Sequence, residues 1–131
     1  MNRTEFHKLF KTLGPVVLPV IHVLDSDRTC KNVEILLEAG AQGCFLINHD
    51  FEPEKFLPII RDTRKAFPSL WVAVNFLAVT GEHAFPVLGQ LQADGCQVDA
   101  YWADDACIDE DGANAEAKRI AAARDISGWD G

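Results

Sequence analysis

No stretch of this chain approaches the ~18 consecutive apolar residues of a membrane-spanning helix, so no membrane partner is expected. Basic charge is scarce as well: 12 Lys and Arg stand against 20 Asp and Glu, a net charge of −8. Phosphate backbones are gripped by clustered Lys and Arg, so this balance argues against a nucleic-acid partner. From Asp104 to Gly131 eight acidic residues oppose three basic ones, and that segment reads as a solvated acidic face. Nucleotide motifs are missing: no G-x-G-x-x-G follows a strand, and there is no G-x-x-x-x-G-K-[ST]. A G-x-S-x-G nucleophile elbow is missing too.

The four cysteines, Cys30, Cys44, Cys96 and Cys107, form no C-x-x-C pair and no zinc-like spacing. Reduced, structural thiols follow, with Cys107 held inert by its acidic loop. Met1–Leu13 alternates charge with Phe6, Leu9 and Phe10, which is amphipathic and unlike the apolar core of a signal peptide. The expected compartment is the cytoplasm.

What is present is a repeating pattern. Four strands are expected at Val16–Leu24, Cys44–His49, Leu70–Leu77 and Val98–Ala103. Their near-terminal residues His22, Asn48, Asn75 and Trp102 are spaced by 26, 27 and 27 positions. A step of that size holds one strand, one helix and two short loops, which predicts parallel βα units. Four such units make a (β/α)4 half of a TIM barrel. The 131 residues form one expected domain, 1–131, well short of the ~200 that a complete barrel needs.

Helix signals fill the gaps. Thr4–Leu13 carries Phe6, Leu9, Phe10 and Leu13 on one stripe and stops at Gly14-Pro15; it is expected to plug the N-terminal end of the strands. Ser26 or Asp27 is expected to cap a helix through Val33 and Leu36 that ends at Gly40. Glu52-Pro53 opens a third helix with Phe56, Ile59, Ile60 and Thr63 inward. A fourth carries Phe85, Leu88 and Leu91, weakened by Pro86 and Gly89. The last, Ala113–Ile126, presents Ala117, Ile120 and Ala121.

Alternation splits each strand into two faces. One is expected to hold Val17, Ile21, Val23, Phe45, Ile47, Val72, Val74 and Phe76 beneath the helices. The other is expected to hold Leu18, Val20, His22, Cys44, Leu46, Asn48, Trp71, Ala73, Asn75, Ala100, Trp102 and Asp104. It is apolar at the strand starts and polar at their ends, as a barrel interior with a ligand mouth would be. His22, Asn48, Asn75 and Asp104 are therefore the candidate catalytic residues. Asp25, His49, Asp50, Trp102 and Asp105 are candidate ligand contacts. In this reading His22 acts as general acid or base, the asparagines orient an oxygen of the ligand, and Trp102 stacks on a planar group. The same strand-end Asn and Asp also serve as ordinary helix caps, and His22 as a hydrogen-bonded interior residue. No local ligand motif supports a metal at His22, Asp25, Asp50 and Asp104, and no cofactor is named by any pattern.

The segments VLPVIHVLD, EAGAQGCFLINHD, WVAVNFL and YWADDA together resemble the first half of a TIM-barrel family of uncharacterised bacterial proteins allied to the BtpA-type group. The resemblance runs from about Val16 to Gly131 and implies a small-molecule site at the strand C-termini, with a phosphorylated compound as one class of ligand. Everything after the fourth helix of that family is missing here. A lone half barrel exposes Leu18, Val20, Leu46, Trp71 and Ala73 and two sheet edges, which predicts a homodimer. Three functions share these residues: a self-associating protein binding a small polar or phosphorylated ligand; a lyase, isomerase or transferase subunit that needs a C-terminal-half partner; and a non-catalytic protein-interaction fragment.

Overall fold

A computed structural model describes residues 2–109 and 115–131. Along the chain run α1 (Arg3–Leu9), β1 (Val20–His22), α2 (Ser26–Glu38), β2 (Gly43–Asn48), α3 (Pro53–Ala66), β3 (Trp71–Phe76), α4 (Gly81–Ala93), β4 (Ala100–Tyr101) and α5 (Ala115–Ser127). The strands lie in chain order β1-β2-β3-β4 and every neighbouring pair is parallel. This is an α/β fold with the (β/α)4 connectivity of half an eight-fold barrel, led by a short helix. No helix among the described residues is long and apolar enough to cross a membrane.

The edge strands are shorter than expected. Pro19 has no N–H to give, so regular β1 begins only at Val20, although Phe45 N still reaches the Pro19 carbonyl at 2.9 Å. At the other edge β4 spans two residues, but Asp99 N and Trp102 N extend its pairing to Val72 and Val74. The repeat shows in the loops before β2 and β4. Gly40 and Gly95 adopt φ of 84° and 81°, and the next residues, Ala41 and Cys96, each donate back to Leu36 and Leu91. That left-handed closure ends a helix cheaply only where the residue has no Cβ.

Capping differs from expectation in one place. Asp25, rather than Ser26 or Asp27, caps α2, its Oδ1 accepting from Arg28 N at 2.7 Å. Ser26 donates to Asp62 on α3 instead. Pro53 occupies the first turn of α3, and Phe56, Ile59, Ile60 and Thr63 are its buried stripe. α4 forms despite Pro86 and Gly89. At Gly89 a Cβ would lie 2.0 Å from the Ser127 carbonyl oxygen, so the glycine is where α5 passes against α4. On α5 Ile120 and Ala123 pack on the core, whereas Ala121 is exposed; the expected start at Ala113 lies outside the described residues.

The main core lies between the helices and one face of the sheet, and strand pairing decides which face. Ile21 pairs with Leu46, and Leu46 with Val74. Paired residues of parallel strands point the same way, so Cys44, Leu46 and Asn48 share the helix side with Ile21, Val72, Val74 and Phe76. Phe45 and Ile47 take the inner side. The expected assignment of β2 is therefore inverted by one residue, and Leu46, expected to meet water, is fully buried. Ala73 is buried as well, on the inner side.

The inner face is only partly covered. Phe10, just past α1, packs edge-on against Trp71 at the start of β3, with ring centroids 5.3 Å apart. Phe10 is the one buried member of the expected stripe: Leu13 is 91% exposed, and Phe6 and Leu9 also face solvent. Trp71 and Trp102 both pack against Phe45, while Val20 and Trp102 remain 44% and 42% exposed.

Two features tie down the ends of the sheet. Below β3 and β4, the Arg64 guanidinium reaches the Asp99 carboxylate at 2.7 Å and the carbonyls of Leu70 and Gln97, while Asp99 also accepts from Val72 N. Beyond α5, Trp129 turns inward, stacks on Phe85 and donates its indole N–H to the Val98 carbonyl at 2.8 Å. That contact seals the strand-start end of α4 and β4 with a large apolar ring whose polar atom is satisfied.

Candidate functional site

Pairing places His22, Ile47 and Asn75 on one level across the inner face, since His22 pairs with Ile47 and Ile47 with Asn75. Ile47 is the residue that strand two contributes at this level, not Asn48. Two positions further on, with the same parity, His49 stacks on His22 with ring centroids 4.4 Å apart and planes 15° from parallel. His49 thus takes the place expected for Asn48. The signal was present in the alternation Phe45, Ile47, His49. An unbroken apolar run, Cys44-Phe45-Leu46-Ile47, gave no polarity by which to choose the parity.

Asn48 is committed elsewhere. It is 3% exposed, donates its Nδ2 to the Phe51 carbonyl at 2.7 Å and accepts from Leu77 N at 3.2 Å. Those bonds tie the β2–α3 loop to the end of β3, so Asn48 does not converge with His22 and Asn75. Asp25 caps α2 and is likewise occupied. Asp50 is exposed in the loop before α3. Asp105 closes its own loop by accepting from Cys107 N at 2.7 Å.

Asn75 and Asp104 do meet. Asn75 is fully buried and donates its Nδ2 to Asp104 Oδ1 at 3.0 Å. The carboxylate sets the amide orientation, because the reverse flip would set two oxygens against each other. Asn75 Oδ1 is then buried with no hydrogen-bond partner among the described residues. An unpaired buried carbonyl oxygen costs about 1–3 kcal/mol, so this atom is a vacant acceptor. Trp102 lies two residues before Asp104 in the chain, half-exposed and edge-on to Phe45.

Behind this level Tyr101 faces the helix side and donates to the Val79 carbonyl, closing the β3–α4 loop over β4. Burial, reinforced by Asp104, pushes its phenol up to about 12. Cys44, buried under the helices, is also pushed up to about 12, which leaves it an inert thiol.

Toward β1 the inner face offers two imidazoles whose ring nitrogens have no hydrogen-bond partner among the described residues, and toward β4 a carboxylate, an amide oxygen without a partner among those residues and an aromatic edge. Such a set accepts hydrogen bonds and moves protons. Among the described residues no three His, Cys, Asp or Glu side chains gather closely enough to hold a metal ion. Comparison with protein-family models, with curated proteins and with solved structures gave no match to this chain.

Proposed function

We propose that this chain is a half barrel that self-associates and binds a small polar ligand where its strands end. The observation that carries the reading is the inner face of the sheet. Parallel sheets are normally covered on both sides; here the helices cover one side, and on the other Ile47, Ala73 and Asn75 are buried while Val20, His22 and Trp102 stay exposed. A second copy, related by a two-fold axis along the strands, supplies the missing layer.

The ligand part rests on Asn75 Oδ1. An acceptor without a partner among the described residues, held beside Asp104 and on the same face of the sheet as His22, suits a ligand rich in hydrogen-bond donors, such as a polyol or an amine. The carboxylates near the strand ends favour such a compound over a phosphorylated one. Descent from the first half of a BtpA-type barrel belongs to the same proposal and would make the ligand site an inherited one.

Light scattering coupled to size exclusion, over a range of concentrations, tests the assembly: a dimer is expected, and a folded monomer throughout would sink the reading. Titration with simple polyols and amines, followed by tryptophan emission, tests the ligand. His22→Ala should abolish any response while leaving the dimer intact.

A further inference from the structure

Within one chain His22 and Asp104 stand on opposite edges of the sheet. Strand order β1-β2-β3-β4 separates β1 from β4 by three strand spacings, about 14 Å along the sheet. His22 therefore has no carboxylate on a neighbouring strand: its one paired strand, β2, offers Ile47 at that level. The imidazole nonetheless ends an exposed edge, and its ring nitrogens are unengaged among the described residues.

Resting on the self-association proposed above, we infer that the site is assembled between copies, with His22 of one chain facing Asp104 and Asp105 of the second. When two four-stranded parallel sheets close into an eight-stranded barrel, β1 of each copy becomes the neighbour of β4 of the other, at about 4.8 Å. A barrel with shear 8 climbs about one residue per strand. Starting from His22 and its level partners Ile47 and Asn75, three steps of that stagger reach the residues just beyond Trp102, which are Asp104 and Asp105.

Three observations fit a second copy at this seam. The free edge of β1 borders a groove of about 510 Å³ that includes Val20, Leu24, Ile35 and Leu36. In a closed barrel that position belongs to the helix following the preceding strand, here α5 of the second copy. α5 has an apolar residue to offer, since Ile126 is 86% exposed. The same stagger brings two further exposed apolar residues, Leu24 (49%) and Ile108 (45%), to within about one residue of each other across the seam. Charge also matches. Arg28 lines the groove near the end of β1, where the approaching segment carries Asp104 and Asp105. Asp104 keeps one carboxylate oxygen free of Asn75, so it can hold its amide and meet an imidazole together.

The test is a disulfide trap in the full-length chain. His22→Cys and Asp105→Cys are combined with Cys107→Ser, which removes the exposed native thiol. Both replaced residues are exposed, so the fold should tolerate them. Mild oxidation should give a covalent dimer whose peptide map contains a 22–105 link between chains. The pair Leu24→Cys and Ile108→Cys provides a second trap at the same seam. A dimer by light scattering in which neither pair cross-links overturns the shared site and leaves self-association standing. A 22–105 link within a single chain also overturns it. A monomer at every concentration removes both the site and the proposal beneath it.

Discussion

Asn75 gives its amide hydrogen to Asp104 at 3.0 Å, and no donor among the described residues reaches its own carbonyl oxygen, although the residue is wholly buried. An atom held that way is tolerated at a stability cost, as residues positioned for a ligand often are. Asn75→Leu keeps the volume, deletes the vacant acceptor and gives up one hydrogen bond to an exposed carboxylate. The ligand-free protein should change by less than about 1 kcal/mol in either direction in urea denaturation. A loss above about 2 kcal/mol would mean that the oxygen is satisfied in solution and is not a vacancy.

Gly89→Ala sets two effects against each other. Alanine raises helix propensity by about 1 kcal/mol, but its Cβ would stand 2.0 Å from the Ser127 carbonyl oxygen. Backbone cannot yield as a flexible side chain can, so packing wins. A net loss of about 1–3 kcal/mol is expected from the displaced α5. An unchanged thermal midpoint would show that α5 is not docked there.

Trp129→Ala should remove about 3–5 kcal/mol, because the ring fills the space beside Phe85. Trp129→Phe keeps most of that packing and loses the bond to the Val98 carbonyl, about 1 kcal/mol. Equal effects of the two variants in chemical denaturation would contradict the buried placement.

Arg64→Ala strands the Asp99 carboxylate and two strand-end carbonyls. The Arg64 and Asp99 side chains are 12% and 27% exposed, so solvent screens the pair only in part. A loss of about 2–4 kcal/mol is expected, somewhat below that of a fully buried pair. Because the pair is partly shielded, raising the salt concentration should recover little of it.

Alkaline pH should unfold this protein through its buried acids. Tyr101 rises from 10.0 to about 12 and Cys44 from 9.0 to about 12, both chiefly through burial. The unfolded chain releases these protons first, so the stability they contribute is whole below pH 9 and declines between about 9 and 12. The chain has a single tyrosine, so absorbance near 295 nm reports Tyr101 alone. Its ionisation should lag well behind that of a free phenol or coincide with loss of circular dichroism. A midpoint near 10 in folded protein would refute the burial.

Much of the architecture was legible in the residues themselves. The spacing of 26 and 27 positions called for βα units, Pro53 and Gly40 marked helix ends, and Phe56, Ile59 and Ile60 declared the inner stripe of α3. These signals are local, carried by turn chemistry and by a 3.6-residue period, and need no knowledge of neighbours. What only the tertiary structure decided was anything that depends on register. Cys44-Phe45-Leu46-Ile47 is apolar at every position, so its alternation is silent, and pairing with β1 and β3 turned Asn48 to the helices and His49 to the mouth. Gly89, weak by propensity, proved to be the contact point of α5, and Arg64 found Asp99 from 35 residues away. Those choices come from long-range packing, whose free energy exceeds the few tenths of a kilocalorie by which local preference separates the alternatives.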